Sequence, residues 1–375
     1  MSVVKQFLGI NNVEDSTRLK PGQMLVASNV DIAGTLLSRR GRALRKAGAA
    51  HSLFEASFGL LAVVDNDLLL LDDDGTELRL VYDTIGYTRV WYTELADGRV
   101  AFANGLISGL ATASATTAWG LPVPPDAGVG IAGDTPYMVT FVRLSDGRES
   151  APTYGTMSID TTQWIIGLPT LAGHTLNVYL APYGEAMFLA GSTSTDTWTP
   201  TGDPLGPQFV GGVVDTPPVG TILATWHART LIADGSVLWA TRPFQPDLCD
   251  RTRDFVQMPA DITLLYGTGA GLFVGTSKAL HFLGGTDFGE LQMRTVTRGL
   301  VTKGSAVEID TAYLPAEMRA GGRGALCIVD SVLTLLTGDG QAVPLTANRY
   351  RREVEEVWAT TRLRDGTLQY LASPA

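Results

Sequence analysis

The chain has 375 residues, 45% of them hydrophobic and 18% charged, which supplies a packed interior and excludes a disordered chain. Its formal net charge of −10 argues against an outer surface built to hold nucleic-acid phosphates. Cys249 and Cys327 are too few for a disulfide framework or a cysteine zinc site, Met1–Gly9 does not read as a signal peptide, and no apolar run nears the ~18 residues of a membrane helix, so synthesis in a reducing cytoplasm is expected.

At this length two domains or one large repeat architecture are expected. The charge is uneven: residues 1–50 carry eight Lys/Arg against three Asp/Glu, leaving −15 on the remainder. That basic start reads either as a solvated strand edge or as an arm that docks on an acidic neighbour. Met24–Ile32 is a candidate strand. Asp67–Leu71 and Thr76–Tyr82 flank the pair Asp74-Gly75, and similar pairs recur at Asp97-Gly98, Asn104-Gly105, Asp146-Gly147, Asp234-Gly235, Asp339-Gly340 and Asp365-Gly366. Such pairs close two-residue hairpins, so the pattern predicts an antiparallel all-β protein of many short strands.

Two proline-rich joints, Leu121–Asp126 and Asp215–Gly220, bracket a segment of about the length of a small β-sandwich. Within it, Tyr137–Leu144, Trp164–Ile166, Thr175–Leu180, Ala186–Ala190 and Thr195–Thr199 are predicted strands. An immunoglobulin- or fibronectin-like insertion over 121–216 follows. The flanks, 1–120 and 217–375, form the main body. Hairpins are predicted at Arg229–Ala233 with Ser236–Thr241, Gly271–Thr276 with Lys278–Leu283, Val332–Thr337 with Gln341–Leu345, and Val357–Leu363 with Thr367–Leu371. Blades of ~40–45 residues then give a β-propeller of about five or six blades. A large double sandwich or an open barrel competes. Pairing of Met24–Ile32 with Thr367–Leu371 would close the ring and remove two exposed edges. Asn348–Val357 reads as a short helix or an exposed charged loop.

No chemical site stands out. Asp72-Asp73-Asp74-Gly75 fails the calcium-loop pattern, because Leu70 and Val81 fall on its first and last ligand positions. His51, His174, His227 and His281 have no metal-binding spacing. Gly269–Gly275 leads into a strand and lacks both the dinucleotide and the P-loop endings. Cys249 has no signature of an activated thiol. Ser194–Trp198 lacks the glycine and the spacing of a sialidase box. Trp91-Tyr92 and Trp119 are candidates for exposed loops, with packing between blades as the commoner use. No cofactor, no metal and no catalytic residue is therefore expected.

The opening segment is the most specific clue: Phe7-Leu8-Gly9-Ile10-Asn11-Asn12, Arg18–Gly22, Ala27-Ser28-Asn29-Val30-Asp31, Gly34 and Arg39-Arg40-Gly41. It resembles the start of the tail nozzle proteins of short-tailed bacteriophages, also called tail tubular protein B. Thr216-Pro217-Pro218, His227–Leu231, Val237–Pro243 and Gly271–Thr276 are similar to the middle blades of that family, and Ser145–Ser150 is similar to a turn of its insert domains. The chain is shorter than the family's larger members. Gly34 can turn the preceding strand back into Thr35–Arg39, leaving Arg39 and Arg40 on opposite faces.

The resemblance implies a non-enzymatic virion protein, assembled in the host cytoplasm. It implies a homo-oligomeric ring, six subunits in all, at the distal end of the tail. The ring would contact the phage adaptor or connector protein and the tail fibre or needle proteins. DNA would pass through without specific binding, and the acidic balance suits such a conduit. Arg39, Arg40, Arg42 and Arg45 are the candidate subunit-interface residues. The competing readings are a receptor- or carbohydrate-binding tail protein, a hub or baseplate protein of a long-tailed phage, and a propeller hydrolase.

Overall fold

A computed structural model describes residues 9–20, 23–25, 30–33, 35–38, 46–130, 133–145, 147–158, 165–181, 184, 186–199, 206–209, 214–314, 322–348, 350–364 and 367–375. Among them the protein is all-β, with only three single-turn 3-10 helices. It divides into two compact units, one of Met1–Thr116, Val219–Leu238 and Val256–Ala375, the other of Thr117–Pro218 and Trp239–Phe255. The expected insertion was 121–216; the second unit also takes in Trp239–Phe255.

Five four-stranded antiparallel sheets follow one another along the body, each pairing neighbours in chain order. The first holds Ala50–Ala56, Gly59–Val64, Asp67–Leu71 and Glu77–Tyr82; the second Trp91–Glu94, Val100–Ala103, Ser108–Ala111 and Thr116–Ala118. The third holds Ile222–Trp226, Arg229–Asp234, Val237–Ala240 and Phe255–Gln257; the fourth Ile262–Thr268, Gly271–Thr276, Ala279–Gly284 and Gln292–Arg298. The fifth holds Val307–Asp310, Arg323–Val329, Val332–Leu336 and Ala342–Pro344, and a terminal hairpin pairs Val357–Arg364 with Thr367–Pro374.

Alternation along the strands explains the packing. Leu61, Val63, Leu68 and Leu70 share one core with Val100 and Phe102 of the second sheet, while Ala62, Val64, Leu69 and Leu71 cluster separately on the opposite face. A strand buried on both faces reads as an unbroken apolar run, and Leu68–Leu71 is one. Ile222–Trp226 lies against Trp91–Glu94 of the second sheet and Ile262–Thr268 of the fourth, where the Trp226 indole donates to the Thr268 carbonyl at 2.8 Å. Phe273, Leu280 and Phe282 of the fourth sheet share a core with Ala325, Cys327 and Leu336 of the fifth. Leu368 and Tyr370 of the terminal hairpin pack on Ile309, Leu326 and Leu335, and the Tyr370 hydroxyl donates to the Ser305 carbonyl at 2.7 Å.

The turns differ from expectation. At Asp74-Gly75, Asp97-Gly98, Asn104-Gly105, Asp234-Gly235 and Asp339-Gly340 only the glycine has positive φ, so none is a type I′ turn; Gly235-Ser236 is a two-residue loop and the other four pairs sit in longer ones. A side-chain carboxamide or carboxylate holds several of them: Asn104 Oδ1 accepts from the Leu106 and Ile107 amides, and Asp72 Oδ1 from those of Asp74 and Thr76. Both turn residues have positive φ instead at Asp65-Asn66, His227-Ala228 and Asp330-Ser331, none of which contains glycine. Asp146, Asp365-Gly366, Gly34 and Trp164 lie outside the described residues.

At the N-terminus, Gly9–Ile10 pairs in parallel with Gln23–Met24, and Val30–Ala33 pairs with Thr35–Ser38. The closing pair expected between Met24–Ile32 and Thr367–Leu371 is not among the described pairings. Asn12 makes the long-range tie: its amide donates to the Arg351 carbonyl at 2.7 Å and its Oδ1 accepts from the Arg351 amide at 2.9 Å. The side chain thus satisfies backbone groups as a neighbouring strand would. The helix considered at Asn348–Val357 does not form among the described residues.

In the second unit, the sheet order is Thr153–Met157, Thr135–Arg143, His174–Leu180, Phe188–Thr193. A three-stranded sheet joins Val129–Gly130, Ile165–Ile166 and Thr197–Trp198. One core draws Tyr137, Val139, Phe141, Leu176 and Val178 from the larger sheet and Ile165 and Trp198 from the smaller. Asp247, fully buried, accepts from Arg143 at 3.1 Å and Arg148 at 2.7 Å.

Candidate functional site

Sheet irregularity builds a cleft in the first unit. In Ala50–Ala56 the register slips between His51 and Phe54, and Ser52 takes φ 53 with its side chain buried. Such a bulge re-aims a side chain. Ser52 Oγ accepts from the Val90 amide at 2.9 Å and lies 2.8 Å from His51 Nδ1. Which of the two carries the proton of that contact depends on the imidazole tautomer, since the hydroxyl can accept a second bond or donate one. Burial holds His51 below the ordinary histidine range, so the ring is neutral at neutral pH.

Arg89 crosses the same cleft. Its guanidinium carbon lies 4.1 Å from the centre of the Trp91 ring and 4.0 Å from that of Trp358. Its Nη1 donates to the Val357 carbonyl at 2.7 Å and to Glu356 at 3.3 Å. Desolvation lowers the Arg89 pKa and the Glu356 carboxylate opposes that shift; a guanidinium stays charged throughout. The local chain is shaped to admit it. Gly304 has φ 73, and a Cβ there would overlap both Arg89 Nη1 and the Val357 carbonyl.

The cleft has a volume of about 560 Å³, with Phe54, Tyr92, Leu60 and Thr360 among its walls. Phe54 and Tyr92 stack with ring centres 5.3 Å apart. Burial pushes the Tyr92 hydroxyl far above the usual range, so it stays protonated. Ser52, the hydroxyl beside a histidine, is 2% exposed and is held between the Val90 amide and the His51 ring. As arranged, the cleft supplies apolar walls and a neutral imidazole, and its cation is already spent on two indoles and a carboxylate.

Of the sequence candidates, Arg39, Arg40, Arg42 and Arg45 lie outside the described residues. Trp91 and Tyr92 sit half-buried on a strand, and Trp119 is buried with its indole donating to the Pro246 carbonyl at 2.8 Å, so neither site is the exposed loop considered above. His227 occupies a turn and packs on Trp226 at 4.4 Å. His281 lies on a strand of the fourth sheet, buried, with Thr295 3.3 Å from its Nδ1. Among the described residues no group of three or more His, Cys, Asp or Glu could hold a metal. Burial pushes the Cys249 thiol up to about 12, the direction opposite to activation. The Arg89 clamp was not found from sequence. Its only local trace is Arg89-Val90-Trp91, because Trp358 comes from the far end of the chain.

No protein-family model matches this chain, and no curated protein matches it. Among solved structures it is similar to BBS1N, crystallised in complex with ARL6DN, at 9% identity and a TM-score of 0.34, covering 86% of this chain and 90% of that one. Streptogramin B lyase gives 11% identity and a TM-score of 0.33, covering 84% and 88%. PorZ of Porphyromonas gingivalis, a component of the type-IX secretion system, gives 10% identity and a TM-score of 0.34, covering 88% of this chain and 39% of that one. Likenesses this low carry no argument about activity, substrate or partner.

Proposed function

We propose that this chain is a virion structural protein, the subunit of a ring-shaped nozzle at the distal end of a phage tail, through which the genome leaves. The opening segment, with its Phe7–Asn12, Asn29-Val30-Asp31 and Arg39-Arg40-Gly41 stretches, brings the reading. The structural observation that supports it most is the circuit of contacts in the first unit. Each sheet packs on the next, and the terminal hairpin returns to the first two through Arg89, His51 and Trp358. We read that circuit as a six-bladed propeller, with Val357–Pro374 beginning the last blade and the N-terminal strands completing it. The second unit reads as an inserted β-sandwich of immunoglobulin or fibronectin size. Its own strand order is different, since Thr135–Arg143 pairs with Thr153–Met157 as well as His174–Leu180.

In this reading the protein acts by shape and by association around an axis. The channel-facing surface carries net negative charge, which limits adhesion of passing DNA. Connector and fibre or needle proteins occupy its two ends. Arg39, Arg40, Arg42 and Arg45 contact an acidic neighbouring subunit. The sugar-binding alternative would need free aromatic platforms, whereas Arg89 covers one face each of Trp91 and Trp358.

Native mass measurement of the purified full-length protein, followed by imaging of its symmetry, tests the proposal. A closed six-fold ring is expected, and the double change Arg39→Glu, Arg40→Glu should block assembly while leaving the monomer folded. A particle that stays monomeric at every concentration, or that turns over glycosides, would overturn it.

A further inference from the structure

Three loops of the second unit each present an apolar side chain to solvent: Leu144, Leu171 and Phe244, the last of them 77% exposed. The loops are tied to one another. The Leu144 amide donates to the Gly173 carbonyl at 2.9 Å, and Arg148 donates to the Phe244 carbonyl at 3.3 Å. Asp247, which ends the loop Arg242–Asp247, accepts from Arg143 and Arg148. Phe244 holds φ 59, a conformation that a bulky residue keeps only where its surroundings fix it. Pro243 and Pro246 stiffen that loop, and the Gln245 amide donates to the Arg242 carbonyl at 3.0 Å. The apolar tips are therefore offered from a backbone with little freedom left to lose, which is how an interface anchor gains affinity. Charge around them is layered. Asp247 and Asp250 are 0% and 6% exposed, whereas the arginines paired with them, Arg143, Arg148 and Arg242, are 21%, 26% and 36% exposed. The cations face solvent and the anions lie behind them, so the rim of this surface is positive.

The first unit carries the complement. The outer strand of its first sheet, Glu77–Tyr82, exposes Leu78 and Leu80, and the loop before it exposes Asp73 and Asp74. With Asp72 and Glu77 that stretch holds four carboxylates in six residues. Lys46 pairs with Glu77 at 3.3 Å, and the Arg79 guanidinium donates to the Thr112 and Ala115 carbonyls, so even with both cations counted the stretch is net negative. We propose that the surface formed by Leu144, Leu171 and Phe244 of one copy docks on the Asp73–Leu80 surface of a second copy. Apolar side chains meet apolar side chains, and the guanidinium rim meets the carboxylates. The two surfaces belong to different parts of the same chain, so the contact is heterologous and repeats head to tail. A contact of that kind closes into a ring when its rotation closes. The inference rests on the ring reading above and supplies it with a specific contact.

The test places a benzophenone-bearing phenylalanine at position 244 of the purified full-length chain, maps its photo-crosslinks by mass spectrometry, and follows assembly by sedimentation. Crosslinks to peptides containing Leu78 or Leu80 of a second copy are expected. Phe244→Asp and Leu78→Asp should each weaken association about tenfold or more, and Phe244→Leu threefold or less. Asp73→Arg should weaken it at low salt and lose that effect at high salt, because exposed charges are screened. Circular dichroism confirms that each variant is folded. Association that survives both Phe244→Asp and Leu78→Asp, that ignores Asp73→Arg at low salt, or whose crosslinks fall elsewhere in the chain would overturn the contact alone. A wild-type chain that stays monomeric throughout would remove the contact and the ring reading together.

Discussion

The Arg89 guanidinium carbon sits 4.0 Å above the centre of the Trp358 ring, joining the start of the second sheet to the terminal hairpin. The Arg89 side chain is only 15% exposed, so its stacking and its bonds to Glu356 and Val357 act in a partly dry setting. Cation–π contacts of this kind contribute about 0.5–2 kcal/mol each, and a charged hydrogen bond about 1.5–3. Discounted for overlap and residual solvent, Arg89→Ala should destabilise the first unit by roughly 2–4 kcal/mol. Arg89→Lys should recover less than half of that, because an ammonium cannot lie flat between two indoles. Gly304→Ala, which crowds the same guanidinium, should mimic the loss. Urea unfolding followed by tryptophan fluorescence measures all three; a shift under ~0.5 kcal/mol for Arg89→Ala would remove the clamp from the stability account.

Two histidines, His281 buried and His51 half-buried, set a pH dependence. Burial lowers the pKa of His51 and of His281 in the folded state. The unfolded chain, with histidines near ~6.5, then binds more protons than the folded one at mildly acid pH. Their contribution is fully present above that value and is lost as pH falls through it toward the depressed folded values. Stability measured from pH 8 down to 5 should decline below about 6.5, and His51→Gln should flatten part of that slope. An unchanged slope in the variant would assign the effect elsewhere.

Much of the first unit was legible in the sequence because its signals are local. Val332–Leu336 and Ala342–Pro344 flank Asp339-Gly340 as expected, and Gly271–Thr276 leads into a second strand. The type I′ turns were not legible. Asp65-Asn66, His227-Ala228 and Asp330-Ser331 lack glycine, and their left-handed backbone is imposed by strands that pair on either side. The cleft was hidden for a different reason. His51, Arg89 and Trp358 come from three distant segments, and neither spacing nor composition can bring them together before the sheets pack. The same holds for Asn12, whose amide reads as loop chemistry until Arg351 is beside it.

The pairing of Asp247 with Arg143 and Arg148 predicts a large effect confined to the second unit. The carboxylate is fully buried, while the two arginines are 21% and 26% exposed and so partly screened. Breaking a buried ion pair costs about 3–5 kcal/mol, and the partial exposure of its cations lowers the expectation for Asp247→Ala to roughly 2–4. Asp247→Asn keeps one acceptor and should cost less. Hydrogen exchange should show lost protection in 239–255 and around Arg143–Arg148, with the fourth and fifth sheets of the first unit unaffected. Uniform loss across both units would contradict a local anchoring role.

The turn at His227-Ala228 allows a prediction of opposite sign. Both residues hold positive φ, 45 and 61, between Ile222–Trp226 and Arg229–Asp234. For an L-residue other than glycine or asparagine this conformation costs on the order of 1 kcal/mol. Ala228→Gly removes that cost but adds about 0.4–1 kcal/mol of unfolded-state entropy, so alone it should be near neutral. His227→Asn suits the first position of a type I′ turn without that entropic penalty, and Asn-Gly is the preferred pair there. It does forfeit the contact of the imidazole with Trp226, 4.4 Å between ring centres. The double variant should therefore gain roughly 0.5–1 kcal/mol in thermal unfolding, against the usual loss when alanine is replaced by glycine within regular structure. A loss of more than about 1 kcal/mol would mean that packing of His227 on Trp226 outweighs backbone strain at this turn.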